Sequence, residues 1–336
     1  MLMEETARMQ KLLASIDPKV LGAANIDTES VRSIGGGWSH MNYFFSAGNR
    51  SYLLRISTLK GNSFKPGMSR SKEHIEKEYA KLKCLEGLGI APTVHYIDVS
   101  CKSIDKPFMI ISYIQGKKVK LLGAGGLEEL AVQLAALHNA EVPPCLPKND
   151  FAEIFNTWVK RRIDNIVNEP AYAKLTNDSF KTALKEAYSL AVNIKPGQAK
   201  QSILHGDPAG ENLIRTSSGI RLIDWEGVSV GPPMYDVVAV IDKQDLNGKR
   251  LSIFLEAYKV HMKSNDPLRE LHKYEAQRYV HKLSLALNEI FKIKTNASDA
   301  MERFPISYHV KYAHKLVKKC KDIGILRKDI KLVLNI

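Results

Sequence analysis

The chain has 336 residues, of which 44% are hydrophobic and 25% are charged, proportions that exclude a collagen-like or largely disordered protein. Lys and Arg exceed Asp and Glu by 13, which favours an anionic partner such as a nucleotide, an acidic metabolite or RNA. No apolar run approaches the roughly 20 residues that cross a bilayer, and no apolar stretch follows a basic start at the N-terminus. We therefore expect a cytoplasmic protein that is not embedded in a membrane.

The first third of the chain predicts a small antiparallel sheet with one packed helix. Residues 1–30 suggest a short amphipathic helix, and residues 31–57 have the pattern of strands around a glycine loop and a tight turn. Apolar residues at helical spacing predict a helix over 72–88. Residues 94–99 and 107–114 are typical of two further strands.

From residue 126 onward, helical periodicity dominates. Only residues 202–226 interrupt it, with a short strand, a polar loop and a hairpin. We therefore predict an α+β chain with two lobes and a cleft between them: an N-terminal nucleotide-binding lobe at 1–115 and a larger, mainly helical catalytic and substrate-binding lobe at 116–336.

The four cysteines, Cys84, Cys101, Cys145 and Cys320, include no C-x-x-C pair. This spacing favours neither a zinc site nor a disulfide framework. We expect four free thiols.

Residues 205–212 (HGDPAGEN) and 223–226 (IDWE) are the strongest motifs. In the predicted hairpin, Leu213 faces Leu222, which brings Asn212 beside Asp224 at the open end. An amide oxygen and a carboxylate are hard ligands of the kind that Mg²⁺ prefers, and Mg²⁺ commonly bridges substrate phosphates. The pair of motifs predicts a site for Mg²⁺ with a nucleotide.

Asp207 lies on the same loop as Asn212, close enough to accept a proton from a hydroxyl that attacks a phosphoryl group. The alternative is that both residues only cap the loop. His205 is better interpreted as an internal hydrogen-bonding scaffold than as a proton shuttle.

These motifs, together with LIDWEGVSVGPPMYD at 222–236, resemble the aminoglycoside phosphotransferase and choline kinase superfamily. The resemblance implies a bilobal protein-kinase-like fold. It also implies that Asp207 is the catalytic base, that Asn212 and Asp224 bind magnesium, and that Asp236 braces the catalytic loop.

The same resemblance assigns residues of the first lobe to the nucleotide. The loop with Gly36, Gly37 and Ser39 offers backbone N–H groups over phosphates, although a glycine cluster is more often a plain turn. Arg55 occupies the strand position of a phosphate-binding lysine, and it could instead be a strand residue facing water. Glu78, on the inward stripe of helix 72–88, is implied to pair with Arg55; a satisfied interfacial acid is the alternative.

The segment Ser112-Tyr113-Ile114 resembles the hinge whose backbone would bond the adenine edge, and a core strand is equally compatible. Asp224 is followed by Trp225 and Glu226, where a protein kinase has Phe-Gly. Glu226 is expected to hold the loop, and assistance to the metal is the alternative. Only eleven residues separate Asp224 from Asp236, too few for an activation loop and a peptide platform.

These observations favour a Mg²⁺-dependent phosphotransferase that moves the γ-phosphate of ATP or GTP to a hydroxyl of a small molecule: an amino alcohol, a sugar or an aminoglycoside-like compound. A nucleotide-binding pseudokinase is one alternative. A kinase that acts on an RNA hydroxyl is another, because residues 311–336 carry eight Lys or Arg against two Asp. A solvated helix face is the favoured interpretation of that basic tail.

Overall fold

The structure is a computed structural model, and it describes residues 2–36, 39–59, 70–148, 153, 155–193, 201–264, 266, 268, 270–296 and 305–326. The helices are α1 (Leu2–Ala14), α2 (Arg70–Cys84), α3 (Ala124–Asn139), α4 (Lys160–Asn168), α5 (Asp178–Asn193), α6 (Met234–Lys243), α7 (Gly248–His261), α8 (Leu271–Lys294) and α9 (Ile306–Asp322). The strands are β1 (Ile26–Gly36), β2 (His40–Ala47), β3 (Arg50–Ser57), β4 (Val94–Asp98), β5 (Phe108–Ser112), β6 (Lys117–Lys118), β7 (Ser202–Leu204), β8 (Leu213–Thr216), β9 (Gly219–Leu222) and β10 (Ser229–Gly231).

The first lobe is built on an antiparallel sheet in the order β1-β2-β3-β5-β4. Successive side chains of a strand point to opposite faces, and β5 shows the consequence. Phe108 and Ile110 pack with α1 in one hydrophobic cluster. Met109 and Ile111 pack with α2 and with the second lobe in another. The sheet is therefore covered on both faces, by α1 on one side and α2 on the other.

Helix α2 confirms the predicted apolar stripe. Ile75 and Leu82 are fully buried on the cluster shared with the second lobe, and Glu78, between them in the sequence, is only 2% exposed. The helix ends at Cys84, before the glycines at 87 and 89, which both adopt positive φ angles.

The second lobe is mainly helical, as expected, and α8 is its longest helix. Its buried residues include Tyr274, Leu283 and Phe291, which pack with α3, α5 and α6 in one continuous core. Two small sheets, β7-β10 and β6-β8-β9, lie where this core meets the first lobe and carry the conspicuous motifs.

The expectation of four free thiols is wrong. Cys84 at the end of α2 and Cys145 after α3 form a disulfide across 61 residues, with Cα atoms 5.9 Å apart. The sequence spacing gave no indication of this pair, because packing between the lobes brings the two segments together. Cys101 and Cys320 are free. Among the described residues, no helix has the length and apolar character that crossing a bilayer requires.

Candidate active site

The polar loop after β7 is held against the loop after β9 by glycines. Gly206 has a φ of +88°, and a Cβ atom there would lie 2.6 Å from the carbonyl oxygen of Gly227. Only a residue without a side chain permits this approach. The carboxylate of Asp236, at the start of α6, accepts hydrogen bonds from the N–H groups of His205 (2.7 Å) and Gly206 (2.9 Å). Asp236 thus makes the contacts that a brace of the loop requires.

His205 is fully buried and its ring lies 4.5 Å from that of Trp225. Burial lowers the pKa of its imidazole, so the ring is neutral at pH 7. Its Nδ1 accepts a hydrogen bond from the N–H of Asp207 at 3.3 Å. This geometry matches the interpretation of His205 as a scaffold.

Asp207 opens into the cleft, with 42% of its side chain exposed. Its carboxylate accepts a hydrogen bond from Asn212 Nδ2 at 3.1 Å and lies 2.5 Å from Lys243 Nζ. Asn212 also donates to the carbonyl oxygen of Asp207 at 3.0 Å, which fixes the loop between the two residues. The motif therefore brings these side chains together, with a lysine that the sequence analysis did not identify.

The hairpin has the predicted register, with Leu213 opposite Leu222. The N–H of Ile223 donates to the carbonyl oxygen of Asn212 at 3.0 Å, so Asn212 and Asp224 stand side by side. Asp224 has a φ of +67°, a left-handed backbone that is uncommon outside glycine. Such strain collects at functional sites, and here it accompanies a carboxylate that is 38% exposed beside the cleft.

Arg55 links Asp224 to α2. Its Nη2 lies 2.9 Å from Glu78 Oε1 and 3.0 Å from Asp224 Oδ1. His40 joins the group, with its ring nitrogens 3.1 Å from Arg55 and 3.0 Å from Glu78. Burial raises the pKa of the Glu78 carboxyl, but the charge of Arg55 and the hydrogen bond from His40 outweigh it, so this pKa lies below its usual range.

Glu226 ties the loop after β9 to α2. Its carbonyl oxygen accepts a hydrogen bond from Lys81 at 2.6 Å, and its carboxylate lies 3.4 Å from His74. The hydrogen bond from His74 lowers the pKa of Glu226. These contacts agree with a role in holding the loop.

The other residues predicted to bind the nucleotide belong to the first lobe. Gly36 ends β1, where a Cβ atom would lie 2.9 Å from the carbonyl oxygen of His40, and Ser39 is nearly buried. Gly37 lies outside the described residues.

At the predicted hinge, the N–H groups of Ser112 and Tyr113 are bonded to the carbonyls of Thr93 and Ser51. The N–H of Ile114 makes no backbone hydrogen bond among the described residues.

The amino-acid sequence matches the model of the phosphotransferase enzyme family over residues 30–272. The chain belongs to this family. The Protein LicA homolog of Metamycoplasma hominis is 25% identical over 133 residues, which are 39% of this chain and 48% of that relative. The match thus spans about half the length of the relative.

Solved structures show the fold of this chain. A choline/ethanolamine kinase family protein from Mesorhizobium loti superposes with a TM-score of 0.62 at 17% identity, over 96% of this chain and 95% of the other. Spectinomycin phosphotransferase in complex with ADP and spectinomycin superposes with a TM-score of 0.60 at 16% identity, over 91% and 95%. The predicted bilobal, kinase-like α+β fold is confirmed.

The oxygen donors beside Asp207 suit Mg²⁺. Asn212 donates through Nδ2 to Asp207, so its amide oxygen is the atom left for a cation. Asp224 engages Arg55 through one carboxylate oxygen, Oδ1, and its side chain remains 38% exposed. An amide oxygen next to a carboxylate oxygen is a hard donor set that leaves room for waters and phosphate oxygens.

Sequence reasoning missed Lys243 and His40. Lys243 lies 36 residues from Asp207, at the end of α6, and no local motif marks it. The one available signal is its helical spacing: it follows Asp236 by seven residues, two turns of the same helix, so both face the catalytic loop. The signal for His40 is its place in the sheet. Asn42 on β2 pairs with Arg55 on β3, and His40, two residues before Asn42, lies on the same face of the sheet as Asn42 and Arg55.

Proposed function

We propose that the protein transfers the γ-phosphoryl group of ATP or GTP to a hydroxyl group of a small molecule, with Mg²⁺. The observation that carries this proposal is that Asn212 bonds to Asp207 and lies beside Asp224, whose carboxylate contacts the buried Arg55. A base, two oxygen ligands and a cation are the groups that phosphoryl transfer requires.

In the proposed reaction, a carboxylate oxygen of Asp207 accepts the proton of the acceptor hydroxyl. The hydroxyl oxygen forms a bond to the γ-phosphorus while the bond from that phosphorus to the β–γ bridging oxygen breaks. The nucleoside diphosphate leaves, and the proton passes from Asp207 to water. Mg²⁺, when held by Asn212 and Asp224, supplies charge that stabilises the phosphate oxygens.

Arg55 serves the phosphates in this proposal, and Glu78 and His40 hold its guanidinium in place. Arginine binds phosphate oxygens through a planar fork of N–H groups, so it can replace a lysine at this position. The N–H of Ile114 and the carbonyls of Ser112 and Tyr113 would bond the base.

A small acceptor fits the chain better than a protein substrate. Only eleven residues separate Asp224 from Asp236, and the structure uses them for a short strand, β10, and the entry to α6. This leaves no segment for a peptide-docking activation loop.

The test is phosphate transfer from radiolabelled ATP and GTP to a panel of hydroxyl compounds, with wild type, Asp207→Asn and Asp224→Asn. We expect Asp207→Asn to lose at least about a thousandfold in kcat while it still binds nucleotide with Mg²⁺. Asp224→Asn should weaken Mg²⁺-dependent nucleotide binding itself.

Glu211→Gln is the matched control, because Glu211 lies on the same loop, is exposed and pairs only with exposed Lys120. It should retain wild-type activity. Transfer by Asp207→Asn at the wild-type rate would remove the base from its role. Tight nucleotide binding without labelling of any compound would favour the alternative of a nucleotide-binding pseudokinase.

A further inference from the structure

Basic side chains gather on the second-lobe side of Asp207. The first is Lys243, whose ammonium lies 2.5 Å from the Asp207 carboxylate. Because Asp207 touches the acceptor hydroxyl in the proposed reaction, any acceptor that reaches this base must also meet Lys243.

Helix α8 extends this positive surface. Arg278 and Lys282 are four residues apart and so share a helix face. Arg278 Nε lies 3.3 Å from Asp242 Oδ2, next to Lys243 in the sequence, while Arg278 Nη2 is buried without a hydrogen-bond partner. The face of α8 that carries these residues is therefore turned towards the end of α6.

Lys282 makes no ion pair or hydrogen bond with any described residue. Burial lowers the pKa of its ammonium to about 8, and the nearby charges of Arg278 and Lys243 act in the same direction. Asp207 and Asp242 oppose this effect without cancelling it. Lys282 thus lies within electrostatic reach of both the base and the other cations, and its own charge has no counterion.

Arg162 on α4 adds a fourth cation. Its Nη1 is buried without a hydrogen-bond partner, and its charge acts on His281, the neighbour of Lys282 on α8. We call Arg162, Lys243, Arg278 and Lys282 the basic wall.

Among the described residues, three acids lie near the basic wall: Asp207, Asp242 and Glu289, whose charge acts on Arg162. Asp242 is shared among Arg278, Lys319 and the hydroxyl of Tyr312. Asp207 is engaged by Lys243 and is needed as the base. The four cations of the wall therefore face three acids, one of which is shared with Lys319, and two guanidinium nitrogens are without a hydrogen-bond partner. Partly buried cations in excess over nearby acids are stabilised by an anion, and they repel an ammonium group.

We infer that the acceptor alcohol carries an anionic oxygen group, a carboxylate or a phosphate ester, which binds to Lys282 and the unpartnered nitrogens of the basic wall while its hydroxyl lies at Asp207. This inference rests on the proposed function. The inferred acceptor preference differs from that of kinases that act on cationic alcohols, because the positive charge of the basic wall would repel a quaternary or primary ammonium.

The experiment compares acceptors in matched sets, with the full chain, Mg²⁺ and radiolabelled ATP or GTP. Glycerate and glycerol 3-phosphate are set against glycerol, and gluconate and glucose 6-phosphate against glucose. Choline, ethanolamine and kanamycin form the cationic set. We expect kcat/KM for an anionic compound to exceed that of its uncharged parent and of every cationic compound at least tenfold. A cationic or uncharged compound as the best acceptor would overturn the inference.

Lys282→Met tests the residue itself, since Met replaces a partly buried cation with an apolar chain of similar length and should leave the fold intact. Its kcat/KM for the anionic acceptor should fall at least tenfold through KM, with less than a twofold change for the uncharged parent. Lys259→Met, at an exposed position on α7, should change neither. An equal loss on both acceptors would make Lys282 structural and contradict the inference.

Binding measured without turnover separates this inference from the proposed function. Calorimetric titration of the same anions in the presence of ADP and Mg²⁺ should show binding that Lys282→Met weakens at least tenfold. If no compound of any charge is labelled but this binding is found, phosphoryl transfer is wrong and the anion site stands. If compounds are labelled but no anion binds through Lys282, the function stands and the anion site is wrong.

Discussion

The two sides of the proposed site differ in how far nearby acids offset their basic side chains. On the proposed nucleotide side, two carboxylates, Glu78 and Asp224, lie within 3.0 Å of the Arg55 guanidinium. On the proposed acceptor side, Lys282 has no partner among the described residues. Both sides keep buried nitrogens without a hydrogen bond, Arg55 Nε on the first and Arg162 Nη1 and Arg278 Nη2 on the second. The difference therefore lies in the balance of charge: acids offset Arg55, whereas the cations of the second side favour an anion from outside.

Among the substitutions of basic residues, we expect Arg55→Ala to have the largest effect on stability and activity. Arg55→Ala leaves Glu78 buried without its cation, so we expect the free energy of unfolding to fall by about 3 to 5 kcal/mol. Activity should fall at least about a hundredfold, because the phosphates lose a cation. Denaturant unfolding and kcat/KM for the nucleotide measure the two effects.

Arg50→Ala is the control on the same strand, since Arg50 is exposed. It should change stability by less than about 0.5 kcal/mol. Wild-type activity in Arg55→Ala would show that the network is a structural feature with no role in nucleotide binding.

The acceptor side predicts sensitivity to acid. Burial, aided by the charges of Lys282, Arg162 and Arg278, lowers the pKa of His281 to about 3, from 6.5 in the unfolded chain. Below pH 6.5 the unfolded state takes up a proton that the folded state does not, so stability falls as the pH drops. Between pH 6.5 and pH 5 the loss is about 2 kcal/mol.

Urea unfolding at pH 7, 6 and 5 measures this slope, which should become shallower in His281→Gln and stay unchanged in His314→Gln, where the imidazole is exposed. An unchanged slope in His281→Gln would mean that another group titrates.

The unpaired lysine predicts a pH dependence of acceptor binding. Arg278 and Lys243 lower the pKa of Lys282, Asp207 and Asp242 raise it, and with the effect of burial it is about 8. The charge of Lys282 is therefore lost as the pH rises from 7 to 9. KM for an anionic acceptor should rise up to about tenfold over that range.

Lys282→Arg keeps its charge at pH 9 and should flatten this profile, which initial rates at several acceptor concentrations will show. A profile that is the same in Lys282→Arg would assign the titration to a different group.

The basic tail should give the smallest effect. On α9, Lys315 lies 2.9 Å from Asp245 and Lys319 lies 3.5 Å from Asp242. Part of the tail's positive charge is therefore paired with acids of the second lobe. Lys319→Met should lower stability by about 1 kcal/mol, and Lys318→Met, at an exposed position, by less than about 0.5 kcal/mol.

Neither variant should alter phosphate transfer to a small acceptor at 50 or 200 mM salt. Labelling of a single-stranded RNA that falls steeply with salt and in Lys318→Met would instead support the RNA hydroxyl as acceptor.

Much of the nucleotide side could be predicted from the sequence. The hairpin register followed from four turn residues, and it placed Asn212 beside Asp224. The inward position of Glu78 followed from the helical spacing of Ile75 and Leu82. The assignment of Arg55 to Glu78 needed the family resemblance, since no local rule joins a strand residue to a helix residue across a lobe.

The acceptor side could not be predicted in the same way. Arg162, Lys243 and Lys282 lie on three helices, and each is an ordinary basic residue of a basic chain. Their convergence depends on how α4, α6 and α8 pack, and so does the disulfide between Cys84 and Cys145.

The sequence by itself determined the order of strands and helices, the catalytic loop and the hairpin that follows it, because hydrogen-bond register and side-chain periodicity act between near neighbours. Tertiary structure alone decided the contact of Arg55 with Asp224 across 169 residues, the left-handed backbone of Asp224 and the balance of charge around Asp207. An electrostatic field sums over every element packed around a site, so its sign is settled only once those elements are in place.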